Sequence, residues 1–430
     1  MANSVPDAAR TALQHRDLSL DLVRVLCVLL VVVVHTLLVG VRQVEGGIEV
    51  EKTVELQSWF TPATWVLQIM PIFFVIGGFA SSVGFASLQR RGGDAADFAK
   101  SRLLRLARPA LPVFAFFAIA LAVAGMLDLA PELVATVASG VGSPLWFLAA
   151  FVLVQALAPF MLQLHRRAPW LVLAVLFGAG LIVDSVRYFG GEPLFGLPNF
   201  AFVWLFAQQL GFWMHDGWFK ARRPVSLIGM IALGYLLVWG LTAVIPYSLN
   251  MLASQFPPVV PLMCFALTHT CMLTLLSKPL NALMQFKAMQ AFVWLFGSRL
   301  MTVYLWHLPV ILLLVGIQLL LPFALSEPGS AIWWMERPVM VVTALAVVCA
   351  LSVVLVRFER PWRHDKRPRP AAWRIWVAVV CFFVPSLLIA IQGLSLVLAL
   401  VGLLGTLVSL ILVRSNAQKP APARQRENAA

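Results

Sequence analysis

The stretch LDLVRVLCVLLVVVVHTLLVGV, residues 20–41, decides the class of fold. It is almost entirely aliphatic over the length that a helix needs to cross a bilayer core, about 20 residues. Similar apolar runs recur along a chain of 430 residues that is 61% hydrophobic and only 12% charged. Soluble proteins usually carry about 25% charged residues. The sequence therefore predicts an all-α polytopic membrane protein and excludes a soluble enzyme, a disordered chain or a disulfide scaffold.

About twelve transmembrane helices are predicted from these runs. They lie at residues 20–41, 64–86, 109–128, 144–164, 170–187, 198–215, 225–246, 258–276, 300–322, 338–356, 375–391 and 394–413. We expect the first ten to form a membrane domain over 20–356 and the last two to form a C-terminal extension over 375–413. Three cytoplasmic parts complete the chain: an N-terminal segment, 1–19, a basic linker, 357–374, and a disordered tail, 414–430.

The distribution of positive charge supports this arrangement. The net charge is +13, and with the N-terminus in the cytoplasm all but four of the 32 Lys and Arg residues fall in cytoplasmic segments. The exceptions are Arg42, Lys52, Arg187 and Arg337. Such a bias is typical of membrane proteins. It predicts that both termini are cytoplasmic and that the charge reflects topology in a lipid bilayer, with no nucleic-acid partner.

Two polar side chains interrupt the first span. Arg24 and His35 are eleven residues apart, so on a helix they point the same way within about 20° and stand about 16 Å apart. Ionisable groups inside a membrane are costly and often functional. Two interpretations fit this pair. Arg24 reaches the interface while His35 is structural, or both line an internal cavity where His35 acts as a general base.

Further polar residues lie in other segments. Arg102 and Arg105 share a helical face and form either a topology-setting basic loop or a clamp for phosphates. Tyr304 and His307 recur through one apolar span, which suggests a face turned to the protein interior. Weaker candidates for the same cavity are Asn199, Gln208 and Gln209, whereas His269 is more typical of a structural residue. The five cysteines form no Cys-x-x-Cys pair, and we expect no metal site.

Together these segments resemble the integral-membrane acyltransferase family 3, which includes O-acetylases of bacterial surface polysaccharides and of some antibiotics. The resemblance covers roughly residues 17–365. Five motifs of that family have counterparts in this chain. The family's basic residue, ten-residue gap and histidine correspond to Arg24 and His35, its Phe-Phe-x-x-Ser-Gly-Phe motif to Phe73–Phe79, and its Arg-x-x-Arg-Leu motif to Arg102–Arg105. Its Leu-Trp-Phe-Leu segment lies within Ser143–Leu148, and its Tyr-Leu-x-His motif is Tyr304–His307. The chain departs from the pattern at Gly77, where the family usually has serine.

The resemblance implies an O-acyltransferase of the bacterial plasma membrane. It would move an acyl group, usually acetyl, from cytoplasmic acyl-CoA to a hydroxyl of a carbohydrate, glycolipid or metabolite. Acetyl-CoA or another acyl-CoA is then the donor substrate, and we expect no tightly bound cofactor. In this scheme Arg102 and Arg105 bind the CoA phosphates. His35 takes the hydroxyl proton or carries the acyl group.

The residues leave other roles open. Arg24, Tyr304 or His307 would stabilise the oxyanion. An alternative function is a multi-pass transporter or flippase of a sugar- or lipid-linked substrate, since intramembrane His and Arg suit that class too. The absence of an inverted repeat argues against it. A non-catalytic membrane partner that retains the fold is the third interpretation.

Overall fold

The computed structural model describes residues 18–44, 47–321, 325–359 and 370–414. Most of them are helical, as predicted. The helices are α1 (Leu18–Leu38), α2 (Phe60–Val66), α3 (Ile69–Gln89), α4 (Ala95–Met126), α5 (Pro131–Gly142), α6 (Trp146–Arg167), α7 (Pro169–Gly190), α8 (Asn199–His215), α9 (Pro224–Val244), α10 (Pro261–Leu275), α11 (Ser277–Leu283), α12 (Lys287–Gly297), α13 (Leu300–Leu320), α14 (Ala331–Glu359), α15 (Ala372–Gln392) and α16 (Leu396–Leu412).

The described residues contain ten helical stretches that are long and apolar enough to cross a membrane. Each overlaps one of the twelve predicted spans, which confirms a multi-pass helical membrane protein. The other two predicted spans, 198–215 and 258–276, correspond to α8 and α10, which have only 17 and 15 residues. Both are buried along most of their length, and a helix surrounded by protein can be shorter and more polar than one that faces lipid. The count of twelve and the orientation stay predictions.

Glycines at the centre of the bundle bring α3 and α8 into backbone contact. A Cβ atom at Gly78 would lie 2.2 Å from the backbone oxygen of Gln208, and one at Gly211 would lie 2.0 Å from that of Val75. Only glycine fits at such a crossing. The helix α3 is continuous through Gly77 and Gly78, so this pair permits close packing and does not break the helix.

A small β-hairpin follows α1 and is an addition to the all-α prediction. The span predicted to end at residue 41 leaves the helical conformation after Leu38. The chain continues as β1 (Val39–Val44), which pairs antiparallel with β2 (Gly47–Lys52). The β-branched valines of β1 suit a strand. A Cβ at Gly40 would clash with the Thr53 side chain, so the glycine lets the hairpin pack closely.

The C-terminal helices α15 and α16 pack on the bundle and are not separate from it. Their hairpin lies against α4 and α6. Phe114 of α4 fits over Gly402, where a Cβ would lie 2.7 Å from its ring. Leu394, at the turn, occupies the space beside Gly142. The N-terminal segment predicted over 1–19, the linker over 357–374 and the tail over 414–430 lie largely outside the described residues.

Candidate active site

Two histidines from distant parts of the chain meet inside the bundle. The rings of His35, near the end of α1, and His307, in α13, are in edge-to-face contact with 4.9 Å between centroids. The Nδ1 of His35 lies 2.8 Å from the Val31 oxygen, and that of His307 lies 2.6 Å from the Tyr304 oxygen. Because a carbonyl oxygen only accepts, each Nδ1 is assigned the hydrogen. Each Nε2 then carries a lone pair, as a base requires.

His307 is more enclosed than His35. It is 1% exposed, and its Nε2 has no hydrogen-bond partner among the described residues. His35 is only partly buried and contributes to the wall of a large cavity. Buried polar atoms usually have a hydrogen-bond partner, so this nitrogen is available to a proton, a water molecule or a ligand. Of the side chains that sequence analysis proposed for an internal cavity, His35 and Tyr304 line this one. His307 contacts His35, and Arg24 is not among the lining residues.

The cavity beside His35 has a volume of about 1140 Å³ and extends towards the β-hairpin. Aliphatic side chains form most of its walls. They include Leu30, Val34 and Leu37 of α1, Leu133, Val137 and Val141 of α5, and Leu308, Leu312 and Leu319 of α13. Polar groups such as Gln68, Ser143 and Gln255 are interspersed. The volume exceeds that of most drug-sized ligand sites, about 300–1,000 Å³.

Tyr304 joins two of the sequence motifs. Its hydroxyl donates to the Pro144 oxygen at 2.5 Å, and its ring lies 4.8 Å from that of Phe147. Pro144 belongs to the short 3₁₀ turn Ser143–Leu145 between α5 and α6. The motif at 143–148 and the motif at 304–307 therefore form one wall of the site. The Tyr304 hydroxyl is already committed as a donor in this arrangement.

The three arginines singled out from the sequence form a second group, which we call the arginine cluster: Arg24, Arg102 and Arg105. The positive charges of Arg24 and Arg105 both act on the Arg102 guanidinium. Arg102 lies 4.5 Å over the Phe98 ring and donates to the Ala80 oxygen at 3.4 Å. Arg105 is exposed. Arg24 also lies 3.7 Å from the carboxylate of Asp21, so the cluster combines three positive charges with one negative charge. An excess of positive charge of this kind attracts anions.

The arginine cluster and the histidine pair lie along one helix. Arg24 precedes His35 by eleven residues of continuous α1, which is about 16 Å. Aromatic rings lie between the two groups. Arg24 stands 5.8 Å from the centroid of Phe73, and Phe73 contacts Phe147, which contacts Tyr304. Packed aromatic side chains therefore lie between the two polar groups.

A carboxylate that sequence analysis missed fixes the start of α13. Glu359, at the end of α14, accepts hydrogen bonds from the backbone nitrogen of Thr302 at 2.7 Å and from the Thr302 hydroxyl. These bonds satisfy a donor at the helix N-terminus. Tyr304 and His307 follow within the next two turns. No pattern in the sequence connects Glu359 to that helix, because the contact crosses between α13 and α14.

The weaker polar candidates do not line the large cavity. Asn199 donates to Asp184 at 2.7 Å, and Gln208 donates to the Val154 oxygen at 2.8 Å. Gln209 lies 2.9 Å from His165, a histidine that sequence analysis did not single out. These bonds connect neighbouring helices. The expectation that the three side chains belong to the cavity is therefore wrong, because each finds its partner in a helix packed against it.

Comparison with known proteins adds one match. A family model described as an acyltransferase domain, Acyl_transf_3, matches residues 17–357. Neither the curated proteins nor the solved structures yield a match. The matched region includes the histidine pair and the arginine cluster, and it ends before α15 and α16. Since the match covers well over half of the chain, the protein belongs to the acyltransferase family 3 and is a multi-pass membrane acyltransferase.

Proposed function

We propose that the protein transfers an acyl group, most simply acetyl, from acyl-CoA to a hydroxyl of a carbohydrate, glycolipid or metabolite. The observation that carries this proposal is the contact between His35 and His307 at the inner end of the cavity. A base with an uncommitted Nε2 there adjoins a space large enough for an acceptor. Family membership makes the chain an acyltransferase and argues against the transporter alternative.

The arginine cluster supports the assignment of the donor. CoA carries several phosphates, and guanidinium groups bind phosphate through paired charge-assisted hydrogen bonds. A bound polyanion would also relieve the repulsion among Arg24, Arg102 and Arg105. The pantetheine arm is long, thin and largely uncharged. Its length suits the distance from the cluster to His35, about 16 Å along α1, and it would have to displace the aromatic rings packed between them.

The chemical step follows from the state of the two rings. The Nε2 of His35 accepts the proton of the acceptor hydroxyl while the oxygen attacks the thioester carbonyl. The C–S bond of the resulting tetrahedral intermediate then breaks, and the CoA thiolate leaves with the proton from His35. In a variant of this route, the acyl group is transferred first from CoA to His35 and then from His35 to the acceptor hydroxyl. The neutral ring of His307 lets His35 become positively charged without a second charge in contact.

The geometry separates the three candidates for oxyanion stabilisation, which are Arg24, Tyr304 and His307. With its hydrogen on Nδ1, His307 presents a lone pair at Nε2 and cannot donate to an oxyanion. The Tyr304 hydroxyl is a donor but binds the Pro144 oxygen, so it would have to turn towards the intermediate. We therefore propose that Tyr304 donates to the oxyanion and that His307 supports His35. Arg24 stands about 16 Å from His35 along α1, too far for its side chain to reach the reacting atoms.

The two substrates are proposed to enter from opposite ends of the bundle. The arginine cluster would face the cytoplasm, where CoA is present, and the cavity beside the β-hairpin would face the other side. This arrangement agrees with the positive-inside rule. In a bacterium it would locate the enzyme in the plasma membrane.

The first experiment is a titration of the purified full chain with acetyl-CoA, because it needs no known acceptor. The double variant Arg102→Ala, Arg105→Ala should bind at least tenfold more weakly than wild type. The double variant Arg166→Ala, Arg167→Ala is the matched control, since these two exposed arginines end α6 outside the cluster. Wild-type protein that is folded and does not bind acetyl-CoA would refute the proposed donor. Equal losses in both double variants would refute the clamp.

A further inference from the structure

A buried arginine lies on the far side of the cavity from the arginine cluster. Arg337, in α14, is 5% exposed. Its Nε lies 3.3 Å from the Trp333 oxygen, its Nη1 lies 3.5 Å from the Val39 oxygen, and its Cζ stands 4.3 Å over the Trp333 ring. Charge-assisted bonds are usually about 2.7–2.9 Å long. The guanidinium is therefore held in position by contacts that are longer than its charge would favour.

The nearest carboxylate among the described residues neutralises this charge weakly. Glu336 lies 3.9 Å from Arg337, and its side chain is 44% exposed. The same carboxylate accepts a hydrogen bond from the Ser326 hydroxyl at 2.6 Å. Because the Glu336 side chain is half-exposed and stands 3.9 Å from Arg337, the pair contributes little. A buried guanidinium normally has a close anionic partner. Arg337 is therefore able to bind a further anionic group.

The side chain of Arg337 borders a pocket. A recess of about 160 Å³ is lined by the polar side chains of Gln318, Ser326, Glu336 and Arg337. The carboxylate of Glu336 is half-exposed and accepts from Ser326, so Arg337 supplies the buried charge of this recess. That space is several times the volume of a water molecule in the liquid, about 30 Å³, and is sufficient for a phosphate group. Val39, Val41 and Val315 border both this recess and the large cavity. The two spaces therefore share these aliphatic side chains as a common wall.

We infer that Arg337 and this recess form an anion subsite beside the acceptor cavity, which binds the phosphate of a lipid-borne molecule. The aliphatic stripe of Leu308, Leu312 and Leu319 on α13 suits the apolar part of such a molecule. Val315 follows His307 by eight residues, which is about 12 Å along the helix. The inference depends on the proposed function at one point, which is the identification of the lipid-borne molecule as the acceptor. The subsite would then set the spacing between its phosphate and the reacting hydroxyl.

Binding to the full chain in an uncharged maltoside detergent tests the subsite by calorimetry. The probes are dihexanoyl phosphatidic acid, dihexanoylglycerol, which lacks the phosphate, and inorganic phosphate. Wild type should bind phosphatidic acid at least tenfold more tightly than either other probe. Arg337→Gln should lose that preference. Equal affinity for the two lipids overturns the anion subsite, and equal affinity for inorganic phosphate overturns the assignment to a lipid-borne group.

Two further variants separate binding from folding. Gln318→Glu leaves every contact of Arg337 in place and adds a negative charge to the recess, so it should weaken phosphatidic acid binding several-fold. Arg187→Gln is the matched control, because Arg187 also lies over an aromatic ring and donates to a carbonyl, but outside the recess. Wild-type affinity in both Arg337→Gln and Gln318→Glu overturns the inference, as does an equal loss in Arg187→Gln.

Failure of the anion subsite and failure of the proposed function give different results. Acetyl-CoA binding should be unchanged in Arg337→Gln, since the arginine cluster lies at the other end of α1. If wild type binds phosphatidic acid through Arg337 but does not bind acetyl-CoA, the donor assignment fails and the subsite stands. If acetyl-CoA binds and phosphatidic acid shows no preference, the subsite fails and the donor assignment stands.

Discussion

The rings of His35 and His307 meet edge to face, with 4.9 Å between their centroids, and each donates its Nδ1 hydrogen to the backbone of its own helix. Two adjacent imidazolium rings would repel each other strongly, so a positive charge on one ring disfavours a positive charge on the other. His35 borders the cavity, whereas His307 is enclosed behind it. We therefore propose His35 as the ring that meets substrate and His307 as its positioning neighbour.

Replacing each histidine by glutamine should separate these two roles. His35→Gln is expected to lower acyl transfer from labelled acetyl-CoA by about 10²–10⁴-fold, which is the usual contribution of a general base. His307→Gln should cause a smaller loss, because the base itself remains. Transfer is measured as label that membranes expressing each variant incorporate, with acetyl-CoA binding to the purified variants as the control for folding. A larger loss in His307→Gln than in His35→Gln would reverse the assignment.

The packing of Arg102 against Gly84 gives a second prediction. A Cβ at Gly84 would lie 2.6 Å from Nη2 of Arg102, so Gly84→Val should displace the guanidinium from its place over Phe98. We expect acetyl-CoA to bind about tenfold more weakly. Gly125→Val in α4 is the control, because nothing lies within 4 Å of its added Cβ. Unchanged affinity in Gly84→Val would mean that Arg102 does not contact the donor.

The crossing of α3 and α8 should be sensitive to a single methyl group. Gly78→Ala and Gly211→Ala both force backbone atoms apart and should lower the free energy of unfolding by about 1–3 kcal/mol. Gly229→Ala in α9 has no neighbour within 4 Å and should be neutral or slightly stabilising, because alanine favours helix. Thermal unfolding of the purified variants measures the difference. Equal stability of all three would show that the helices do not cross at these glycines.

The contact between Glu359 and Thr302 predicts a loss of helix capping. Glu359→Ala removes the acceptor for the Thr302 nitrogen and should lower stability by about 0.5–2 kcal/mol. Because α13 carries Tyr304 and His307, we also expect a lower rate of transfer with little change in acetyl-CoA affinity. Glu359→Asp tests distance, since the same charge is kept on a shorter side chain. A fall in donor affinity that matches the fall in rate would indicate a direct role in binding CoA.

Relationships within one helix could be predicted from the sequence. Arg24 and His35, Arg102 and Arg105, and Tyr304 and His307 are each separated by intervals that the helical repeat converts into direction and distance. The structure has each pair in one continuous helix. The apolar runs likewise predicted the helical spans, since their length matches a bilayer. Two of these spans, α8 and α10, needed the bundle around them to explain their shortness.

Relationships between helices were decided by the tertiary structure alone. The contact of His35 with His307, the bond from Tyr304 to Pro144 and the position of Arg337 beside Val39 all join helices that are distant in sequence. In a membrane protein a leucine that faces lipid and one that faces protein are equally apolar, so the sequence alone does not mark which faces pack together. The length and direction of each helix are local properties. The neighbours of each helix depend on shape complementarity across the whole bundle, which only the folded chain expresses.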